Sequence, residues 1–415
     1  MKDTELYRHL LGLEAPWTVS RVELDTKAQR VSVWADHAKE ATFRCPECAT
    51  ACGLYDHEPE RTWRHLDSCH FETHLHARVP RVECPEHGIR QTKVPWAEPR
   101  SRFTLLFERF AIDVLLESDV AGAARVLGIS WDEAHGIMER AVQRGLSRRP
   151  VRVPPRLGID EKALSKGHRY ATLVNDLERG IVVDVAEGRT KESLYGCLSA
   201  FSKDDLAHVE AIAMDMWEPF FSALKDVVSG AEHKVVFDRF HIIGHMNQAL
   251  DQVRRAENKA LRAEGDDRLV GSKYLWLYAA ENVPEHRQDE FWSLRRQMNL
   301  RTARAWSMKE LLRGLWDCPS RSRGQWWWRR WKAWADRCRL PPVRKVAAMI
   351  ARHLPNVLTY FEHRITNAAS ESINSVVRLL QKRAFGYRSF PNFRTAILFR
   401  CGGLNLYPAT HPNVG

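Results

Sequence analysis

The sequence predicts a multidomain α+β / α/β protein, and three observations point to that class. The chain has 415 residues, which is too long for one ordinary hydrophobic core. Strand-like and helix-like segments alternate from residue 157 to about residue 250. Residues 251–360 are almost wholly helical in composition. A smaller β-rich module with clustered cysteines is expected to precede these segments.

Residues 1–98 are predicted to form a β-rich, zinc-binding module. Polar and apolar residues alternate over 17–37 and 69–84, as in β-strands. The motifs "CPEC" and "CPEH" each present two metal ligands at the spacing of a zinc knuckle. The ligands expected to complete a structural Zn²⁺ site are Cys45, Cys48, Cys84 and His87. The fourth ligand stays open, because substitutes lie nearby at Cys52, His57 and Cys69. Free thiols in a small β domain are the alternative.

Residues 99–150 are predicted to contain a DNA-binding helix-turn-helix. A helix over 120–127 is followed by Gly128 and by a second helix that begins after Ser130. Ser130 and Glu133 have the spacing of a capping box, and small residues in the first helix allow close packing. The second helix would then lie in the major groove. An ordinary helical hairpin is the alternative.

Residues 151–250 are predicted to form an α/β domain, and residues 361–410 a further segment that follows the helical stretch. Asp160 is interpreted as closing the strand "RLGID", Asp215 as closing "VEAIAMD" and Asp238 as closing "KVVFD". Strand ends in an open α/β sheet face the ligand crevice, and carboxylates gathered there repel one another without a cation. Two Mg²⁺ ions would neutralise them and support phosphodiester chemistry. A turn or N-cap role is the alternative for any single aspartate.

A last helix is predicted to begin near Ala368 and to supply a further carboxylate, Glu371. Its apolar stripe is expected to consist of Ile373, Val376, Val377 and Leu380. Glu371 lies on the opposite side of that helix. This position fits either a solvent-facing residue or a helix whose first turn leans over the strand ends.

Several blocks of the sequence together resemble the RNase H-like DDE transposases, and most closely the ISL3 family of insertion-sequence transposases. The blocks are "CPEC", "LGIDE", "AIAMDMWEPF", "VVFDRFHI" and "ITNAASESINSVVRLL". The resemblance implies an RNase H-like catalytic domain interrupted by an all-α insertion, residues 251–360. It also implies a catalytic triad of Asp160, Asp215 and Glu371 that holds two Mg²⁺ or Mn²⁺ ions. Residues expected beside this site are Glu161, Asp238 and His241.

Uneven positive charge indicates a polyanionic partner. The net charge is +11, and residues 321–345 carry nine Arg or Lys against one acid. Tryptophans lie between these basic residues and could stack on bases. The expected DNA contacts are Arg329, Arg330, Lys332, Lys382 and Arg383. Further basic residues expected near the phosphates are Lys162, Lys166, His168 and Arg169.

The function implied by the resemblance is DNA transposition, with cleavage at insertion-sequence ends and strand transfer into target DNA. The implied partners are terminal inverted repeats, target DNA and a second copy of the chain in a synaptic homodimer. A non-catalytic DNA-binding regulator and an RNase H-like nuclease without strand transfer are the alternatives. No run resembles a transmembrane helix or a secretory signal, so a cytoplasmic bacterial protein, associated with the nucleoid when bound to DNA, is expected.

Overall fold

The computed structural model describes residues 2–165, 169–297 and 299–409. The chain forms two compact units. The first consists of Met1–Arg149 and Leu398–Gly415, and the second of Pro150–Ile397. Lys166 and His168, which were expected to lie near the DNA phosphates, are outside the described residues. Among the described helices, none is long and apolar enough to cross a membrane.

The first unit begins with a β-rich module. Its elements are α1 (Asp3–Leu10), β1 (Trp17–Asp25), β2 (Arg30–His37), β3 (Phe43–Arg44), β4 (Ala51–Cys52), β5 (Leu54–Ser68), β6 (Phe71–Cys84) and β7 (Gly88–Gln91). The main sheet has the order β1-β2-β6-β5, and β7 pairs with β6. Trp96 joins its core by edge-to-face contacts with Trp17 and Trp63, at centroid distances of 4.7 and 5.5 Å. Cys45, Cys52 and Cys84 are buried in the same core.

Three helices follow the β module, namely α2 (Leu105–Glu117), α3 (Val120–Leu127) and α4 (Trp131–Arg148). The predicted helix-turn-helix is present, because α3 ends at Gly128 in the left-handed conformation and Ser130 caps α4. Buried Glu108 on α2 binds Arg140 at 2.6 Å and Arg144 at 3.1 Å. These two arginines therefore fasten α4 to α2.

A five-stranded sheet forms the centre of the second unit. Its strands are β8 (Arg156–Ser165), β9 (Arg169–Asp176), β10 (Ile181–Glu187), β11 (Ala211–Met214) and β12 (Val235–Phe237). Their order is β10-β9-β8-β11-β12, with antiparallel pairing among the first three strands and parallel pairing from β8 to β12. β11 and β12 are short and fully buried. Because they pair in parallel, with Met214 opposite Phe237, their carboxyl ends meet at one edge.

Helices surround this sheet and fill the segment between β12 and the later chain. They are α5 (Lys191–Leu198), α6 (Lys203–Ala207), α7 (Glu218–Val227), α8 (Ala231–Lys234), α9 (Arg239–Ala263), α10 (Lys273–Leu277), α11 (Gln288–Arg296), α12 (Arg301–Arg313), α13 (Arg321–Arg337), α14 (Pro341–Arg352), α15 (Leu354–Leu358), α16 (Tyr360–His363), α17 (Ala368–Arg383) and α18 (Phe390–Cys401). The expectation that the helix near Ala368 is the last one was wrong, because α18 follows it.

The helices between β12 and α17 extend the apolar core of the sheet. Trp331 is fully buried, and its indole N–H donates to the Met308 carbonyl at 2.8 Å. Lys309 is also buried, and its ammonium donates to backbone carbonyls at the end of α10, including that of Trp276 at 3.2 Å. Most tryptophans in this segment therefore stabilise its packing, whereas Trp326 remains 44% exposed.

Candidate functional site

Asp160 lies in the middle of β8, so the prediction that it closes a strand was wrong. The strand continues to Ser165 because β9 pairs with it along its length. β11, by contrast, pairs with β8 only as far as Gly158. The β8–β9 hairpin thus extends beyond the end of β11, and Asp160 lies just past that end. It still shares one edge of the sheet with the residues that follow β11 and β12.

Asp215 and Asp238 lie where predicted, immediately after β11 and β12. The Asp238 backbone N–H donates to the Met214 carbonyl at 2.9 Å, and its side chain caps α9 by accepting from the Phe240 N–H at 3.3 Å. His241, in the first turn of α9, contacts the Asp215 carboxylate through Nδ1. One ligand atom from each of Asp215, Asp238 and His241 lies within 4.8 Å of the others.

Helix α17 brings two side chains to the same edge of the sheet. Glu371 is in its first turn, where the charge of Asp238 acts on it. Asn374, one turn later, donates from Nδ2 to the Asp160 Oδ2 at 2.6 Å. The sequence analysis missed Asn374, although its three-residue spacing from Glu371 places both on adjoining parts of one helix face. Glu371 is half-buried, and neither Glu371 nor Asp160 belongs to the described group of ligand atoms that lie within 4.8 Å of one another.

The close approach of α17 to β8 depends on Gly158. A Cβ at this position would lie 2.5 Å from the Ser370 Oγ and 3.0 Å from the Asn367 Oδ1. Ser370 is buried, and its hydroxyl accepts from the Asn175 amide at 2.9 Å. The buried side of α17 is therefore partly polar. Val376, predicted to belong to its apolar stripe, is instead 41% exposed, because this polar face packs on β8.

Burial and mutual repulsion raise the pKa values of several carboxyl groups in this cluster. Burial first, and the Asp215 charge second, raise the pKa of Asp160 to about 7. Burial also raises the pKa values of Glu161, Asp238 and Glu371. These groups, with Asp215, form what we call the carboxylate cluster, which consists of Asp160, Glu161, Asp215, Asp238 and Glu371.

Two cationic side chains partly compensate the carboxylate cluster. The Arg189 guanidinium lies 3.0 Å from the Glu161 carboxylate. Burial lowers the pKa of His241, but its hydrogen bond to Asp215 and the surrounding carboxylates outweigh burial and raise it overall. Arg239 and Lys162 also act electrostatically on Asp238 and Asp160, so the compensation is not limited to the two contacting groups. Oxygen donors with uncompensated negative charge are the ligands preferred by Mg²⁺, and the donor set also fits Mn²⁺.

The structure brings together Cys45, Cys48, Cys84 and His87 as a second candidate metal site. The Sγ atoms of Cys48 and Cys84 are 3.6 Å apart, and the Cys84 Sγ is 3.6 Å from the His87 Nδ1. A tetrahedral zinc ion with bonds of about 2.3 Å separates its ligands by roughly 3.8 Å. Glu47 lies 3.5 Å from the other ring nitrogen of His87, where a carboxylate can orient a histidine ligand.

The substitutes considered for the fourth zinc ligand lie elsewhere. The Cys52 Sγ is directed to the Thr50 carbonyl at 3.4 Å. The His57 ring stacks on the His37 ring, and the Nε2 atoms of the two side chains are 2.8 Å apart. Cys69 is exposed in the turn between β5 and β6. The geometry favours His87 among the four candidates.

The basic residues predicted to contact DNA differ in their surroundings. Arg329 and Arg330 are exposed on α13, and the Arg330 guanidinium lies 5.0 Å from the centre of the exposed Trp326 ring. Lys332 is held by Asp336, at 2.6 Å. Lys382 and Arg383 are exposed in the last turn of α17.

Three family models match successive parts of the chain. A transposase family model matches residues 157–397, which contain all of the carboxylate cluster. A model described as the helix-turn-helix domain of transposase family ISL3 matches residues 92–142. A model described as the zinc-finger of transposases IS204, IS1001, IS1096 and IS1165 matches residues 41–87. The first of these models alone covers more than half of the chain.

Curated relatives agree with the family models. The transposase for insertion sequence element IS1557 of Mycobacterium tuberculosis is 29% identical, over 94% of this chain and 93% of its own length. The transposase for insertion sequence element IS1001 of Bordetella parapertussis is 24% identical, over 94% and 96%. No solved structure matches. This chain, with its zinc-finger and helix-turn-helix domains, therefore belongs to the ISL3 family of transposases.

Proposed function

We propose that this chain is a DDE transposase that cuts DNA at the ends of its insertion sequence and joins them to target DNA. The catalytic domain would be RNase H-like. Three antiparallel strands, β8 to β10, followed by parallel β11 and β12 support that assignment. The helical residues 251–360 would be an insertion between the two parts of this domain, 151–250 and 361–410.

The observation that carries the proposal is the carboxylate cluster at the shared edge of β8, β11 and β12. A carboxylate as buried as Asp160, with its pKa raised to about 7, is costly to ionise unless a cation is bound. Five acidic groups gathered at one edge of a sheet are hard to explain as a purely structural feature. They are suited to holding divalent cations next to a phosphodiester.

In the proposed site Asp160, Asp215 and Glu371 hold two Mg²⁺ or Mn²⁺ ions. When bound, such ions activate the attacking oxygen and stabilise the leaving oxygen of a phosphodiester. Asn374 would orient the Asp160 carboxylate through its amide, and His241 would orient Asp215 through its Nδ1 contact. The residues of the chain thus fix where the carboxylate oxygens lie before DNA arrives.

The remaining parts would recognise and hold the DNA. The zinc finger, with Cys45, Cys48, Cys84 and His87 as Zn²⁺ ligands, and the helix-turn-helix would bind the terminal inverted repeats. Exposed arginines on α13 would bind phosphates. Because two ends must be cut and joined together, we expect a homodimer in the synaptic complex.

The proposal is tested with a duplex that carries the terminal repeat flanking the gene for this protein. Purified protein, the duplex and Mg²⁺ or Mn²⁺ should give nicked ends and strand-transfer products. Asp215→Ala should abolish both products and retain binding of the duplex. Asp226→Asn alters an exposed carboxylate of the same unit and serves as the control, with activity unchanged.

Each alternative corresponds to a distinct outcome. Cleavage without strand-transfer products would favour a nuclease. Binding without metal-dependent cleavage would favour a DNA-binding regulator. Cleavage that persists in Asp215→Ala would show that this residue is not part of the catalytic site.

A further inference from the structure

Phe385 is a large apolar side chain that is 100% exposed. It follows the C-terminus of α17, in the segment "KRAFGYR". Its backbone N–H donates to the Lys382 carbonyl at 3.2 Å, and the Gly386 N–H donates to the Gln381 carbonyl at 2.8 Å. This pair of bonds is the Schellman motif, in which Phe385 occupies the position normally taken by glycine.

The local structure disfavours phenylalanine at this position in two ways. Its φ is +50°, in the left-handed region that is unfavourable for a bulky aromatic residue. Its ring is also left in water, where an apolar surface is unfavourable. Glycine would remove both costs without altering the hydrogen bonds of the turn. The described part of the chain gives the aromatic ring no stabilising contact, which points to a partner.

The neighbouring charges indicate what that partner is. Glu371, Ser375, Arg378 and Lys382 are spaced by four, three and four residues, which places them in one line along α17. Arg378 and Lys382 are exposed, and neither forms an ion pair with an acidic group in the described part of the chain. A row of basic residues thus leads from the carboxylate cluster to Phe385.

Lys162 adds to this positive row from the neighbouring strand. It lies on β8, two residues after Asp160, so both side chains are on the same face of the strand. The Lys162 ammonium lies close enough to the Arg378 guanidinium for the two positive charges to repel each other. Two cations held close together form a site for an anion such as a DNA phosphate.

We propose that Phe385 stacks on an unpaired base of the DNA strand whose phosphates follow Arg378 and Lys382 along α17. The inference rests on the proposed function, because it takes the polyanion at the carboxylate cluster to be DNA. A planar ring next to phosphate-binding residues is the arrangement by which proteins hold unstacked bases. Phe385 lies about 20 Å along α17 from Glu371, so the stacked base is not the one at the scissile bond.

The test uses two 30-base-pair duplexes, one fully paired and one with a single bulged 2-aminopurine, in Ca²⁺. Wild-type protein should bind the bulged duplex at least about fivefold more tightly and quench the fluorescence of the base. Phe385→Gly should bind both duplexes with the affinity that wild type has for the paired one, and should not quench. Phe385→Trp should retain the preference.

Three controls separate stacking from other effects. Phe385→Gly relieves the left-handed backbone strain, so its melting temperature should equal or exceed that of wild type. Leu379→Ala removes another exposed apolar side chain of α17 and should leave the preference intact. Lys382→Ala should weaken binding of both duplexes by the same factor, as expected for a phosphate contact.

The stacking proposal is overturned if wild type binds the two duplexes equally, or if Phe385→Gly keeps the preference. It is also overturned if Phe385→Gly changes only the sedimentation of the protein, since Phe385 would then contact a second copy. Failure of the proposed function looks different. In that case wild-type protein shows no metal-dependent cleavage, whatever residue occupies position 385.

Discussion

Asp160→Asn measures the electrostatic cost of the carboxylate cluster without divalent cations. Asp160 is 6% exposed and accepts hydrogen bonds from the Glu161 N–H at 2.8 Å and the Asn374 amide at 2.6 Å. An asparagine can keep both, because the Asn374 Oδ1 is buried without a hydrogen-bond partner among the described residues. Rotating the Asn374 amide would let that oxygen accept from the new side chain. The substitution therefore removes a charge and preserves the shape.

The expected magnitude follows from the pKa of Asp160, which burial and the Asp215 charge raise from 3.8 to about 7. The unfolded chain loses this proton near pH 4 and the folded chain near pH 7. The free energy of unfolding therefore falls as pH rises from about 4 to about 7, because ionising Asp160 is less favourable in the folded chain than in the unfolded chain. The full loss is present above pH 7. About three pKa units correspond to about 4 kcal/mol. We expect Asp160→Asn to be more stable than wild type by up to that amount at pH 8, and by less than about 2 kcal/mol at pH 5.

The assay is urea unfolding followed by tryptophan fluorescence, in EDTA, at pH 5 and pH 8. Asp226→Asn is the control. The Tyr195 hydroxyl donates to the Asp226 carboxylate at 2.6 Å and lowers its pKa, so ionised Asp226 is favoured in the folded state. This substitution should therefore not stabilise the protein at pH 8. Mn²⁺ should stabilise wild type at pH 8 and have little effect on Asp160→Asn. If Asp160→Asn gained no stability at pH 8, Asp160 would already be compensated, and the argument for a cation site would lose its main support.

Two further predictions concern packing and zinc. Gly158→Ala should destabilise the second unit by about 1–3 kcal/mol, because its Cβ would meet the Ser370 Oγ at 2.5 Å. Gly244→Ala, with nothing within 4 Å of the new carbon, should be neutral or stabilising in the same urea titration. Purified protein should contain one tightly bound zinc per chain by elemental analysis, and Cys84→Ser should lose it. Cys69→Ser should keep it; equal zinc loss in both variants would contradict the assigned ligands.

The features predicted well from the sequence are those fixed by local interactions. Ser130 and Gly128 mark the boundaries of α3 and α4 because capping depends on residues within one turn. Asp215 and Asp238 were placed correctly because β11 and β12 are short, fully buried runs that end at a polar residue. In such segments the local sequence pattern is enough to place the end of the helix or strand.

The features predicted wrongly depend on distant partners. The length of β8 is set by pairing with β9, so Asp160 could not be recognised as a mid-strand residue. The buried face of α17 is partly polar, because Ser370 bonds to Asn175 and Asn374 to Asp160. The apolar stripe predicted from the periodicity therefore wrongly included Val376, which is exposed. The mixed α/β, multidomain character of the chain and the positions of Asp215 and Asp238 after their strands could be predicted, but Asn374 and the close packing at Gly158 could not.

These long-range contacts make completion of the carboxylate cluster depend on the docking of α17. Asn374 and Asp160 are 214 residues apart in the chain, yet their side chains are joined by a hydrogen bond of 2.6 Å. Closing so long a loop costs entropy, but the cost grows only slowly with length, and the intervening helices share one apolar core with the sheet. Glu371 therefore reaches the edge that carries Asp160, Asp215 and Asp238 only when α17 packs on β8. Because α17 also carries the basic row that ends at Phe385, the step that adds the last carboxylate also brings the proposed DNA-binding surface into place.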